Sequence, residues 1–276
     1  MDHESRSNAY VLGSADFEHD RLIRQAEMLA SCTRRAFLDA GLAPGQHVLD
    51  IGSGMGDVAM LAASLVGPSG TVNGIDRDES SLAKARERAV AGHIANLRYT
   101  TTDLSDPRID GSFDAIVGRF ILMFLGNPGA TVRRLAERLR PGGVMVFQEP
   151  SWSSLFPMVA HLPLHTHCAN LMCEVLRRSG ARPNMAEALH RDLLDAGLTE
   201  LNMRVEVALV TLPRHRQWLA DLLATVRPRI EELGIPHNTV GDLETVGSRL
   251  EQEFQAAGSF MPFIGLVSAW ARKPLT

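Results

Sequence analysis

The sequence predicts an α/β protein built on a doubly wound, seven-stranded parallel sheet with helical insertions, and three observations predict it. Short β-rich runs alternate with helical stretches from His47 to Pro150. A loop carrying three glycines, GSGMG, follows the first of these runs. Aspartates, Asp76 and Asp103, close the next two.

The 276 residues are 45% hydrophobic and 22% charged, with a formal charge of −4, enough to fill one core. Mild acidity without a Lys/Arg block leaves no footprint for sequence-independent nucleic-acid binding, so a nucleic-acid partner is disfavoured. The polar start, MDHESRSNAY, lacks the order of a signal peptide, and no apolar run reaches the ~18–20 residues of a membrane span. A cytoplasmic protein with no membrane partner is expected. Three cysteines, Cys32, Cys168 and Cys173, have neither the density nor the spacing of a disulfide scaffold and read as reduced thiols.

Phe17 to Ala40 has a helical apolar pattern that stops at Gly41, with Pro44-Gly45 beyond. HVLDIG, TVNGID, LRYTTTD, FDAIVGRF and GVMVFQEP then read as strands, separated by helical stretches at Val58–Val66, Ser80–Ala91 and Ala130–Leu139. Beyond Pro150 the alternation loosens. Trp152–Gly180 is mainly helical with interruptions at Pro157 and Pro163; Met185–Ala196 is a cleaner helix; Asn202–Thr211 is a strand. A helical block from Arg214 to Ala257, broken near Pro228 and Pro236, precedes a final strand, Phe263–Ala271. Residues 1–40 are thus expected to form an N-terminal arm and helix that is part of a lid, 41–150 a ligand-binding core, and 151–276 the remaining core strands with helical substrate-lid insertions at about 151–183 and 213–258.

The glycine loop is not a phosphate-binding Walker loop, because Asp57 and Val58 stand where Lys and Ser/Thr are required. Nor is it the dinucleotide fingerprint, whose third glycine would fall at residue 57 rather than Gly56. A glycine turn with no ligand is also consistent with this loop alone. Asp76, at the end of the second strand, brings a carboxylate over the same crevice, where it can accept from both hydroxyls of a ribose. Asp103 with Leu104 suits an adenine, the acid accepting from the exocyclic amine and the leucine covering a ring face. Each acid could serve only as a helix cap, but three successive strand ends together favour an uncharged or cationic adenosyl ligand over a pyrophosphate.

VLDIGSGMGD, GIDRD, TTDLSD, FDAIVGRFILMFL and LRPGGVMVFQEP, in this order, resemble the successive motifs of class I S-adenosylmethionine-dependent methyltransferases over about Leu38 to Pro150. The resemblance implies a Rossmann-like sheet that is only mostly parallel, its seventh strand (Phe263–Ala271) running antiparallel. It implies S-adenosyl-L-methionine as cofactor, with Gly52 and Gly54 at the methionine moiety, Asp50 behind the loop near its amino group, Asp76 and the adjoining Arg77 on the ribose side, and Asp103 and Leu104 at the adenine. The backbone of Gly118-Arg119 would face the methionine part, while the Arg119 side chain can equally bridge neighbouring acids.

Methyl transfer by in-line attack on a sulfonium needs the nucleophile held on axis more than it needs a shared catalytic residue, so these motifs do not name the acceptor. GRFILMFL replaces the N/D-P-P-Y/F motif of base-amine methyltransferases, which argues against adenine or cytosine. The insertions are rich in apolar residues, among them Trp152, Leu155, Phe156, Trp218, Leu222 and Leu223. Most of these fill a core, yet a small, largely apolar acceptor is the better expectation. His161, His165 and His167 lie too irregularly for a metal site, so no metal is expected; His165 is the candidate general base, set against plain lid histidines. Tyr10 belongs to an arm, NAYVLGSADFEHDRL, that resembles the N-terminal segments of ubiquinone/menaquinone-type small-molecule methyltransferases and would border the methyl; a disordered tail is the competing reading. Glu149, past the fifth strand, is placed to accept a proton or pair with an arginine.

The leading reading is a methyltransferase acting at C, O or N of a small metabolite, in secondary or quinone-like metabolism, and it allows a homodimer. A prenyl diphosphate C-methyltransferase, with Arg177, Arg178, Arg182, Arg214, Arg216, Arg227 and Arg229 holding phosphate, is one alternative. A non-catalytic S-adenosylmethionine-binding protein is another.

Overall fold

A computed structural model describes residues 16–104, 109–210 and 215–275. Helix α1 (Asp16–Ala40) precedes β1 (His47–Ile51), α2 (Asp57–Val66), β2 (Thr71–Asp76), α3 (Glu79–Ala91), β3 (Leu97–Thr101), β4 (Phe113–Arg119), α4 (Pro128–Glu137) and β5 (Leu139–Ser151). Then come α5 (Phe156–Val159), α6 (Pro163–Arg178), α7 (Ala186–Asp195), β6 (Thr199–Glu206), β7 (Leu209–Val210), α8 (Trp218–Glu232), α9 (Val246–Ala257), β8 (Met261–Pro262) and β9 (Gly265–Arg272).

Seven strands form one sheet in the order β3-β2-β1-β4-β5-β9-β6. The first five pair parallel, and β9 runs antiparallel between β5 and β6, as expected for the last strand. Strands covered on both faces carry near-continuous apolar runs, because helices bury each side. On β4 and β5, Phe113, Ile116, Met145 and Phe147 enter one core, while Ala115, Val117, Val144 and Val146 enter the other with Val58 and Leu82 of α2 and α3. Asp78 caps α3 by accepting from the Ser80 N–H at 3.0 Å, and Asn127 caps α4 from the Ala130 N–H at 3.0 Å.

The C-terminal third departs from the sequence expectation at its prolines. Pro157 and Pro163 start α5 and α6 instead of interrupting one helix, since the first helical turn does not use the N–H that proline lacks. Pro228 lies inside α8 without breaking it: Ala224, whose carbonyl would meet the missing N–H, is exposed to water, and Leu219, Leu222, Leu223, Val226 and Ile230 keep one helix face buried. The expected strand Asn202–Thr211 divides into β6 and β7, and β7 pairs with β8 as a separate two-residue ribbon; Thr211 lies outside the described residues.

Candidate active site

In an open α/β sheet the ligand crevice lies outside the carboxyl ends of the strands where their order reverses, here between β1 and β4. A cavity of about 200 Å³ opens at that point. Gly52, Ser53 and Gly54 after β1, Asp76 and Arg77 at the end of β2, Thr102, Asp103 and Leu104 after β3, and Arg119, Phe120 and Ile121 at the end of β4 line it.

The loop needs its glycines for different reasons. Gly52, Gly54 and Gly56 have φ of 66°, 49° and 82°. A Cβ on Gly52 would stand 2.5 Å from two Ile121 carbons, whereas one on Gly54 meets nothing within 4 Å and would project into open space. Asp76 Oδ2 accepts from the Gly54 N–H and Oδ1 from the Asp78 N–H, each at 2.9 Å, so this carboxylate ties the glycine loop to the turn after β2. Arg88 braces the loop from behind, donating to the Met55 carbonyl and pairing with Asp57 at 2.7 Å.

Asp50 sits under the loop, outside the cavity lining. It is 1% exposed and accepts from the Ser53 hydroxyl at 2.8 Å. Burial pushes its carboxyl up to about 7, against the Ser53 hydrogen bond and the Arg119 charge. Arg119 reaches α1 through a 2.9 Å hydrogen bond from Nη1 to Thr33 Oγ1. Gly118 does not line the cavity; its missing side chain leaves room for Ile51 and Ile121.

Of the three proposed catalytic groups, the two that the structure describes, His165 and Glu149, do not border the cavity. Tyr10 lies outside the described residues. His165 is 1% exposed in the core beside the Trp218 ring, with centroids 6.1 Å apart, and burial pushes its pKa down to about 4. It does not border the cavity, because the turn of α6 that carries it packs inward. Glu149 is fully buried and accepts three successive backbone N–H groups, from Ile121 at 3.0 Å, Leu122 at 2.8 Å and Met123 at 3.2 Å. Its oxygens are therefore committed to the turn after β4, while burial raises its pKa to about 8.

Sequence reasoning missed the polar residues of α1 that line the cavity, His19, Arg21 and Gln25. A signal was present: helical spacing puts Glu18 on the same stripe as Leu22, Leu29 and Ala36, where a carboxylate needs a reason to be. Arg21 clasps Glu18 at 2.5 and 2.7 Å and donates to Gln25 at 2.9 Å. Arg24 pairs with Asp221 at 2.9 Å, and the Thr225 hydroxyl donates to Glu18 at 3.2 Å, so α1 is fastened to α8 over the cavity. Trp152, Leu176, Leu222 and Ile264 complete an apolar end.

The described ones among the proposed phosphate-holding arginines of the lid are engaged elsewhere. Arg177 and Arg178 pair with Glu174, Arg216 with Glu251, Arg227 with Glu231 and Glu244, and Arg229 with Glu232. Arg182 donates to the Gly126 carbonyl at 3.2 Å, and Arg214 lies outside the described residues. None of the described ones borders the cavity.

The buried acids predict a pH response. Asp50 and Glu149 have folded pKa values above their unfolded ones, so the stability they contribute is full below about pH 4, falls progressively as pH rises, and is gone once pH has passed through the folded values of about 7 and 8. Melting temperatures of Asp50→Asn and wild type should diverge in the variant's favour between about pH 4 and 7 and keep a constant difference above that. A difference that is already constant between about pH 4 and 7 contradicts the assignment to Asp50.

Fold and site together define an open α/β protein with a nucleoside-type crevice at its switch point. Residues 42–193, more than half of the chain, match the family model described as a methyltransferase domain. The chain belongs to that methyltransferase-domain family, and its sheet has the Rossmann-like class I methyltransferase fold. It is 32% identical over 117 residues to aklanonic acid methyltransferase DauC of Streptomyces sp. (strain C5), covering 42% of this chain and 53% of that protein. It is 34% identical over 116 residues to the ubiquinone/menaquinone biosynthesis C-methyltransferase UbiE of Ectopseudomonas mendocina, covering 40% of this chain and 45% of the other. A phosphoethanolamine N-methyltransferase 2 of Haemonchus contortus, solved with phosphomonomethylethanolamine and S-adenosylhomocysteine, shares the fold with a TM-score of 0.53 at 19% identity, over 88% of this chain and 53% of that one. The chain spans between 30% and 65% of the length of the curated relatives it matches.

Proposed function

We propose that the protein transfers a methyl group from S-adenosyl-L-methionine to carbon, oxygen or nitrogen of a small, largely apolar metabolite. One observation carries this reading: a single cavity runs from the glycine loop and the strand-end acids to an apolar end beneath α1 and α8. The polar end fits the cofactor. Asp76 and Asp103 offer carboxylates to ribose hydroxyls and an adenine amine, Leu104 covers a ring face, Gly54 leaves room at the loop, and the buried Asp50 beneath it favours a cationic amino group. When bound, the cofactor supplies an electrophilic methyl.

The chain's own part is positional. Residues at the apolar end hold the acceptor on the line of attack and exclude water, which can supply much of the rate enhancement. His165 and Glu149, buried away from the cavity, are not assigned as bases; Arg77 and Arg119 are assigned to the cofactor side of the wall. In this reading residues 41–150 form the cofactor core, and the insertions with α1 form the acceptor lid. The similarity to DauC of a Streptomyces strain supports a place in secondary metabolism. A cytoplasmic location belongs to the same reading, and no helix among the described residues is long and apolar enough to cross a membrane.

Calorimetric titration with S-adenosylmethionine, S-adenosylhomocysteine and NAD, on wild type and Asp76→Ala, tests it. The sulfonium cofactor and its product should bind, and the variant should lose about 1.5–3 kcal/mol, the range of hydrogen bonds to a charged group. Binding of NAD alone overturns the reading.

A further inference from the structure

We infer that Phe120 selects a planar, conjugated acceptor by offering its ring as the wall on which such a molecule lies, an inference that rests on the proposed methyl transfer. Arg119, Phe120 and Ile121 are consecutive, and all three line the cavity. Along an extended strand successive side chains point to opposite faces, so a β4 that simply ran on would bring only alternate residues to one wall. Phe120 ends that alternation with a φ of 54°.

For a bulky side chain this backbone conformation is an outlier, and glycine would adopt it at no steric cost. Two adjacent residues of β5 hold it. The Gln148 carbonyl accepts from the Phe120 N–H at 2.9 Å, and Glu149 accepts from the three N–H groups that follow. Gln148 is itself fixed by donating to the buried Ser268 hydroxyl of β9 at 2.8 Å. The Phe120 ring does not disappear into the core: it is half-buried, packed against the main apolar cluster while also bordering the cavity. A rare conformation that its surroundings sustain, at the wall of a ligand cavity, points to a use for the side chain.

The neighbouring residues give that use. Ile121 lies over Gly52, where a Cβ would stand 2.5 Å from its carbons, so the turn that carries Phe120 borders the part of the loop assigned to the methionine moiety. Trp152, Leu176, Leu222 and Ile264 make the rest of the cavity's acceptor end apolar. A flat π-system laid on the Phe120 ring gains stacking beyond the area it buries, and it is confined to one plane of approach to the methyl. A saturated acceptor of the same skeleton gains the area alone. The substrate class that follows is an aromatic or otherwise conjugated ring compound whose nucleophilic atom lies in the plane of the ring.

The test titrates 2-naphthol and decahydro-2-naphthol, which share a skeleton and differ in planarity, onto the protein saturated with S-adenosylhomocysteine. Wild type should bind 2-naphthol about three- to tenfold tighter, the scale of ring stacking. Phe120→Tyr, which keeps a ring, should preserve that ratio, whereas Phe120→Leu and Phe120→Gly should bring the two affinities close together. In the latter two variants the affinity for S-adenosylhomocysteine should change by less than that for 2-naphthol. Phe120→Gly also keeps the test decisive if bulkier variants fail to fold, because it relieves the left-handed backbone; it should melt above Phe120→Ala, the reverse of the usual order. Equal affinities in wild type, no binding of either probe, or an unchanged ratio in Phe120→Gly overturns the inference. So does Phe120→Ala melting above Phe120→Gly, or a larger loss of S-adenosylhomocysteine than of 2-naphthol, which would give the ring to the cofactor. Failure of S-adenosylhomocysteine to bind strikes the methyltransferase reading alone, and the two probes are then titrated onto the free protein.

Discussion

Glu149→Ala is expected to lower the free energy of unfolding by on the order of 3–6 kcal/mol and the melting temperature by roughly 10 °C. The carboxylate is fully buried, and its two oxygens serve three backbone N–H groups of Ile121, Leu122 and Met123. Each buried donor left without an acceptor costs about 1–3 kcal/mol. The turn these groups belong to begins at Phe120, whose φ of 54° is rare for a residue with a side chain and is sustained only by its surroundings. Phe120 keeps its own N–H on the Gln148 carbonyl at 2.9 Å, so the turn is held at two adjacent points of β5. Glu149→Gln should cost less, since its carbonyl still meets the Ile121 and Leu122 donors while its NH₂ opposes Met123. Scanning calorimetry of the three proteins orders them; an Ala variant within about 1 kcal/mol of wild type would remove Glu149 from this role.

The same residue shows where the sequence is legible and where it stops. Alternation of period-2 and period-3.6 runs located the first five strands, because parallel strands covered on both faces admit little but apolar residues. Asp76, Asp103 and the glycine loop were legible as a set because strand ends in a doubly wound sheet converge on one crevice. Glu149 ends such a strand too, and it read as a proton acceptor. What distinguishes it is the backbone of a turn more than twenty residues earlier, folded back by a left-handed Phe120 that no propensity announces. His165 failed for a related reason: helical spacing says which face a residue occupies but not whether that face meets a cavity or a core. The clasp of Glu18 and Arg21 shows as two charged residues on or beside an apolar stripe, yet its partner on α8, Thr225, is fixed only by tertiary packing.

Gly52→Ala is expected to weaken cofactor binding by about 100-fold, close to 3 kcal/mol, and to lower stability with it. A Cβ at φ 66° costs roughly 1–2 kcal/mol, and here it also stands 2.5 Å from Cδ1 and Cγ1 of Ile121. Ile121 cannot retreat with its backbone, because its N–H is held by Glu149. The side chain must turn into the cavity it lines, towards the space assigned to the cofactor. Gly54→Ala provides the contrast. Its Cβ meets nothing within 4 Å, so stability should fall by only about 1 kcal/mol while affinity falls because the methyl stands at the open face of the loop. Titration with S-adenosylhomocysteine beside calorimetric melting separates the two glycines. If the clash at Ile121 is the cause, loosening the turn should relieve it, so Gly52→Ala combined with Glu149→Gln should lose less stability than the sum of the single changes. Strict additivity would mean that glycine is required at 52 for its backbone conformation alone, and that the Ile121 wall moves freely.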